Sequence, residues 1–153
     1  MSTNSLIALE YPNGGHVEEI YCHWDGYMEH NGVILYAAYN TFEKVKELVD
    51  HGDASVIRRN IGKKHNLDDM GDTQARDFNW CQFYGRDRNE SNCEARVYEN
   101  FEDYKKTCRT ESYNYLFRAD ENCWYVRQYE DNQYRKMKFS AKFLKQHRSL
   151  IAD

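Results

Sequence analysis

The N-terminal segment places the strongest constraint on the fold, because it carries a complete hairpin signature. Residues 12–15 read Pro-Asn-Gly-Gly, and they are flanked by two runs rich in β-forming residues, SLIALEY and HVEEIYCHW. Asn13 and Gly14 tolerate the positive φ that tight hairpin turns demand. The segment therefore predicts two antiparallel strands joined by a short turn.

A segment with the residue spacing of an amphipathic helix follows the hairpin. Within residues 41–51 the apolar side chains recur at helical spacing, namely Phe42, Val45, Leu48 and Val49. Asn40 and Glu43 are arranged as in a capping box, and Gly52 suits the C-terminal cap. The pattern predicts a helix over 41–51, with an earlier helical segment in VILYAAYN and a shorter helical turn in ASVIRRNIG.

The second half of the chain predicts strands alternating with short helices. Two paired strands are expected at 79–89 and 94–100, after a polar, aperiodic segment at 63–78 that indicates a long surface loop. A helix is expected at 101–108, and Ser140 suits the cap of a final helix. Three further strands are expected to form a meander, at 112–120, 123–129 and 134–140.

These elements predict one α+β domain over residues 1–153, in which an antiparallel sheet packs against two or three helices. The hairpin and the meander would supply the sheet. A chain of 153 residues is long enough to bury a substantial core. The core is expected to include Ile7, Ile20, Phe42, Val45, Leu48, Leu116 and Phe117.

Charge and cysteine content narrow the class of protein. A net charge of −4 gives no overall drive toward nucleic acid or anionic lipid. No signal peptide and no run of the roughly 20 apolar residues that a membrane helix needs are visible, which predicts a cytoplasmic protein without membrane contact. The five cysteines include no C-x-x-C pair, so we expect free thiols and no zinc knuckle.

Residues 20–32, IYCHWDGYMEHNG, hold the first concentration of reactive side chains. Acid–base chemistry by His23 is one interpretation. Cys22 is the nearest nucleophile for such a site, but it would point to the opposite face of the strand and could not form a Cys–His pair with His23. The alternatives are a purely structural turn and a ligand-contacting loop that uses Trp24 and Tyr27. Four side chains also suit a divalent metal, although we expect no metal and no cofactor: His23, Asp25, Glu29 and His30.

The second concentration is YGRDR at residues 84–88. On an extended segment, Arg86 and Arg88 would share a face and could grip one phosphate or carboxylate. Tyr84 would offer a ring for stacking. The alternative is a surface ladder of ion pairs, in which nearby acids neutralise the arginines, namely Asp87, Glu90 and Glu94.

A third feature is the basic C-terminal run, where acidic residues are sparse. Cations interleaved with aromatic rings can track a phosphate backbone, and a solvated amphipathic helix is the other interpretation. The cations are Arg127, Arg135, Lys136, Lys138, Lys142, Lys145 and Arg148.

Several of these segments together resemble a family of small uncharacterised proteins common in phage and prophage genomes. The shared motifs are SLIAL, IYCHWDGY, YGRDR and YNYLF followed by Trp124, and they cover roughly residues 4–126. Met28 stands where the family has Pro, and Asn89 stands where it has Gly. The basic extension at about 127–153 lies beyond the common core. The resemblance implies a phage setting and names no activity.

No Gly-rich phosphate loop, nucleophile elbow or H-E-x-x-H motif supports an enzyme. We therefore expect a non-enzymatic phage accessory protein that binds a host protein, such as a CRISPR effector, and so inhibits antiviral defence. The alternative is a nucleotide sponge or nucleotide-processing enzyme that counters signalling-based defence, with nucleotide or nucleic acid bound by the YGRDR arginines and the basic C-terminal run. The expected binding residues are His23, Trp24, Asp25, Tyr27, Tyr84, Arg86 and Arg88.

Overall fold

The structure, a computed structural model, describes residues 2–68 and 74–152. Within them, eight strands form one sheet: β1 (Ser5–Glu10), β2 (Val17–Cys22), β3 (Ala54–Val56), β4 (Gln82–Phe83), β5 (Arg96–Tyr98), β6 (Tyr113–Arg118), β7 (Cys123–Gln128) and β8 (Arg135–Lys136). Six α-helices accompany it: α1 (Val33–Ala38), α2 (Phe42–Asp50), α3 (Gln74–Asp77), α4 (Tyr84–Arg88), α5 (Phe101–Thr107) and α6 (Ala141–Gln146). The predicted α+β class is confirmed.

The sheet has the order β4-β3-β2-β1-β6-β7-β8, and β5 pairs with residues 17–19 of β2, on the same edge that β3 pairs with at Cys22. The predicted hairpin is present as β1 and β2, and the predicted meander is present as β6, β7 and β8. The sheet is mixed, because β1 pairs with β6 in parallel and β2 pairs with β3 in parallel. Parallel neighbours need a long crossover connection, which local residue patterns do not reveal.

Apolar side chains fill both faces of the central strands. Ile7, Ile20 and Phe117 belong to the larger core, together with buried residues of α1 and α2. Leu116 belongs to a smaller core on the other face, beneath Tyr104 of α5. The predicted core residues are all buried except Phe42, which is partly buried against the larger core.

The structure corrects four local predictions. Residues 54–56 form β3 and not a helical turn; all three are buried, and a fully buried strand lacks the alternation that marks a strand in sequence. Residues 84–88 form α4 and not part of a strand, and β5 pairs with β2 and not with the segment before it. Thr41, not Asn40, caps α2 by accepting from the Lys44 N–H at 3.2 Å.

The polar segment at 63–78 divides between regular and irregular structure. Residues 63–66 have no regular structure, and α3 occupies 74–77. The predicted loop residues 69–73 lie outside the described residues. The C-terminal extension continues β7 and adds β8 and α6, with Met137 buried in the larger core. Across the described ranges, no helix has both the length and the apolar character needed to cross a bilayer.

Candidate functional site

The turn that follows β2 is fixed by hydrogen bonds to two distant parts of the chain. The Gly26 N–H donates to the Thr3 carbonyl at 2.8 Å, and the Gly26 carbonyl accepts from the Tyr115 hydroxyl at 2.6 Å. A Cβ at Gly26 would lie 2.9 Å from the Ser5 Cβ and 2.9 Å from the Thr3 oxygen. Glycine is therefore required here by close packing, and the turn is held against β1 and β6.

Asn31 ties the far side of the same turn. Its side-chain amide is buried and donates to Ser5 Oγ at 3.2 Å and to the Trp24 carbonyl at 3.4 Å. Its Oδ1 lies 2.9 Å from His30 Nδ1, and because an amide oxygen only accepts, Nδ1 carries the proton. A π-helical turn, Met28–Gly32, joins this point to α1, and such turns are frequent at functional sites.

This well-bonded backbone presents two large aromatic side chains to solvent. Trp24 is 44% exposed and Tyr27 is 37% exposed. Between them Asp25 adopts a left-handed φ of 58° and accepts from the Tyr27 hydroxyl at 3.3 Å. Burial, followed by the Asp25 charge, raises the pKa of Tyr27 above its ordinary value, so that the hydroxyl remains protonated at neutral pH. We call residues 24–27 the aromatic turn.

The catalytic and metal interpretations of this segment find little support in its geometry. His23 Nδ1 lies 2.8 Å from the Tyr21 hydroxyl, and Asp25 instead approaches His30, at 4.0 Å. Burial raises the pKa of the Cys22 thiol to about 12, which keeps it protonated and unreactive. Among the described residues, no group of three or more His, Cys, Asp or Glu side chains is arranged to hold a metal ion.

Arg86 does not form the phosphate fork that was predicted with Arg88. The segment is helical, and all three guanidinium nitrogens of Arg86 already have acceptors within the protein. Nε donates to Asp87 Oδ1 at 2.9 Å, and the two terminal nitrogens donate to the carbonyls of Ile61 at 3.0 Å and Cys81 at 2.9 Å. The predicted geometry is wrong because α4 aims this arginine into the protein.

The other residues of α4 extend this internal network. The Asp87 side chain is fully buried and also accepts from the N–H groups of Phe83 at 2.8 Å and His65 at 3.0 Å. Arg88 is exposed and pairs with Asp68 at 2.8 Å and with Glu90 at 3.1 Å, as in the ion-pair alternative. Its guanidinium lies 5.3 Å from the centre of the Tyr84 ring.

β3 separates the two sequence motifs. On one side of it, the Trp24 N–H donates to the Ser55 carbonyl at 3.0 Å, and on the other the Tyr84 N–H donates to the Asp53 carbonyl at 3.1 Å. The two motifs are therefore roughly two strand spacings apart, about 10 Å. They are neighbours in the fold but do not form one site.

One further aromatic residue, Tyr129 in the basic C-terminal run, is exposed but was not among the predicted binding residues. Tyr129 is 67% exposed and follows β7 directly. In register across the sheet, Gln128 pairs with Tyr113, Tyr113 with Ser5, and Ser5 with Cys22. Tyr129 and the aromatic turn therefore lie at the same end of the sheet. Only the parallel pairing of β1 with β6 reveals this.

The basic C-terminal cations divide into two groups. Arg127 donates to Thr110, and Arg135 pairs with Asp131 at 2.7 Å. The second group has no acidic partner within residues 2–68 and 74–152, and comprises Lys136, Lys138, Lys142, Lys145 and Arg148.

Comparison with protein-family models, with curated proteins and with solved structures gave no match. These comparisons name no activity, and the geometry of the site is the evidence for how the chain binds. The aromatic turn combines exposed apolar surface with a fixed backbone, whereas α4 uses most of its polar groups internally. Of the predicted binding residues, Trp24 and Tyr27 are the aromatic side chains that remain open to solvent.

Proposed function

We propose that this protein is a non-enzymatic phage accessory protein, which binds a host protein through the aromatic turn. The observation that carries the proposal is the exposure of Trp24 and Tyr27 on a backbone fixed by buried hydrogen bonds. The phage setting, and a host partner in antiviral defence such as a CRISPR effector, come from the resemblance carried by the SLIAL, IYCHWDGY, YGRDR and YNYLF motifs.

Physical chemistry favours these two side chains as the centre of an interface. Trp and Tyr bury large areas and are over-represented among the residues that dominate binding energy. A turn that is already ordered before contact loses little conformational entropy on binding. An exposed pair of aromatic residues with no such backbone support would bind more weakly for the same contact area.

The charges around the turn favour a protein partner over a phosphate-bearing one. The Asp25 side chain is 42% exposed, and Glu29 is also exposed. Two carboxylates beside the aromatic rings would repel a phosphate backbone but can serve as the polar rim of a protein interface. The alternative of a nucleotide sponge or nucleotide-processing enzyme depended on Arg86 and Arg88 as a fork, and their internal partners give that arrangement no support.

The proposal is tested by affinity capture with matched variants. Wild type, a Trp24→Ala Tyr27→Ala double variant and a Val97→Ala control are each immobilised and exposed to a lysate of the bacterial host. Val97 suits the control because it is 65% exposed and lies on β5, away from the aromatic turn. A partner retained by wild type and by Val97→Ala is then purified, and its dissociation constant is measured for all three proteins.

We expect the double variant to bind that partner about 100-fold more weakly or worse, since two hot-spot residues are removed. Equal binding by the double variant would contradict the proposed surface. In parallel, wild type is incubated with cyclic and linear nucleotides, and the free pool is analysed before and after heat denaturation. Depletion or conversion of a nucleotide, together with capture of no protein, would contradict the proposed function.

A further inference from the structure

A cavity of about 670 Å³ lies beside the β7–β8 hairpin, next to α1. Its size falls within the range of small-molecule sites, about 300 to 1,000 Å³. Phe117, Trp124 and Met137 form its apolar floor, and all three are buried. The remaining lining residues are Tyr36, Asn40, Asn122, Cys123, Lys136 and Lys138.

The polar groups of this cavity are available for a ligand. Lys136 and Lys138 have no acidic partner within the described part of the chain, and the lining contains no carboxylate. By contrast, the nearby Arg118 is neutralised by an ion pair with Glu10 at 2.7 Å. A lining with two unneutralised ammonium groups, in a protein of net charge −4, concentrates anions at this point of the surface.

The apolar side of the cavity is held rigidly. The Trp124 indole donates from Nε1 to the Tyr39 carbonyl at 2.8 Å and packs edge-to-face on Phe117, with ring centres 5.3 Å apart. Tyr36 packs edge-to-face on Phe139, with ring centres 5.0 Å apart. Fixed aromatic walls of this kind suit a flat ring better than a flexible chain.

We propose that this cavity binds a nucleotide, with the phosphate at Lys136 and Lys138 and the base against the apolar floor. The site is independent of the aromatic turn. Cys123 pairs with Arg118, and Arg118 pairs with Glu10, so the cavity lies at the opposite end of the sheet from Cys22. A protein partner and a nucleotide can therefore bind at the same time, and either can fail without the other.

The test is a titration of the full-length protein followed by two-dimensional NMR. The probes are the four common nucleoside monophosphates, with adenosine and ribose 5-phosphate as the two halves of AMP. We expect at least one monophosphate to shift the indole N–H signal of Trp124 and to leave those of Trp24 and Trp80 in place. Each half alone should bind about tenfold more weakly than AMP or worse, because one set of contacts is lost.

Matched variants separate the cavity from general charge attraction. Lys136→Ala Lys138→Ala should weaken monophosphate binding by about tenfold per lysine and leave adenosine binding unchanged. Lys142→Ala Lys145→Ala removes the same charge from α6, outside the cavity lining, and should change the affinity less than about threefold. The proposal is overturned if no monophosphate binds at millimolar concentration, if both double variants lose affinity equally, or if ribose 5-phosphate binds as tightly as AMP.

Discussion

The aromatic turn and α4 are similar in sequence and opposite in structure. Each is a short segment that combines aromatic rings with charged side chains, and each begins beside β3. In the aromatic turn the backbone makes the buried contacts and the side chains of Trp24 and Tyr27 face solvent. In α4 the side chains of Arg86 and Asp87 make the buried contacts.

The difference shows what decides whether a reactive-looking residue is available for binding. Arg86 is taken up by the carbonyl groups of Ile61 and Cys81, while the backbone groups of the aromatic turn are satisfied by Thr3, Tyr115 and Asn31. Buried backbone groups must find partners, and whichever residues supply those partners are lost to function. In both regions some of these partners come from distant parts of the chain, Thr3 and Tyr115 for the turn and Ile61 for Arg86.

The largest effect is expected for Arg86→Met. This change leaves the fully buried Asp87 carboxylate and several carbonyl groups without their cation, so it should lower the free energy of unfolding by about 3 to 5 kcal/mol. Arg88→Ala is the matched control, because its ion pairs are exposed and should contribute less than about 1 kcal/mol. Chemical denaturation measures the free energy of unfolding of both variants. Similar losses would show that the internal contacts of Arg86 stabilise the protein no more than the exposed ion pairs of Arg88.

Glycine substitutions separate the two regions in a second way. Gly26→Ala should cost about 1 to 3 kcal/mol, since its Cβ would press on Ser5 and Thr3 at 2.9 Å. Among the residues that the structure describes, a Cβ at Gly85 in α4 would meet only the Glu90 carbonyl, at 3.8 Å. Gly85→Ala should therefore stabilise the protein by about 0.5 to 1 kcal/mol. A stability at or above wild type for Gly26→Ala would mean that the aromatic turn is not tightly packed.

A smaller effect concerns His51, which packs on Phe83 next to α4, with ring centres 4.8 Å apart. Burial, and then the charge of Arg86, lowers the pKa of His51 below its ordinary value of about 6.5. The unfolded chain then binds a proton more readily, so stability should fall as the pH drops below about 6.5. Between about pH 7 and about pH 5, the denaturation midpoint should fall less in His51→Gln than in wild type. An identical fall in the two proteins would show that His51 does not cause the loss of stability.

Local patterns were sufficient for the elements that local physics controls. The hairpin followed from Asn13 and Gly14, which both adopt positive φ, and α2 followed from its apolar stripe. β3 was missed because three buried residues carry no alternation. α4 was missed because its conformation depends on Asp87, whose partner His65 lies 22 residues earlier in the chain and becomes a neighbour only on folding.

The candidate site could be located from the sequence but not evaluated. Residues 20–32 stood out by composition, yet a structural turn, a ligand-contacting loop, a metal site and acid–base chemistry all remained open. Exposure of Trp24 and internal use of Arg86 both depend on which backbone groups lie opposite, and contacts with distant segments such as Ser55 and Ile61 set that. The cavity at Lys136 and Lys138 could not be predicted from the sequence, because its lining comes from both α1 and the β7–β8 hairpin, which are far apart in the chain.

The central claim is that the aromatic turn is ordered before any partner binds, and amide hydrogen exchange in the free protein tests it most directly. Gly26 and Gly14 are both turn glycines, but only the Gly26 N–H has an acceptor within the described residues, the Thr3 carbonyl. The backbone N–H of Asn31 also has an acceptor, the Asp25 carbonyl at 3.2 Å. We predict that the backbone N–H groups of Gly26 and Asn31 exchange as slowly as that of Ile20 in β2, while the Gly14 N–H exchanges freely. Exchange of Gly26 and Asn31 at the rate of Gly14 would contradict the account.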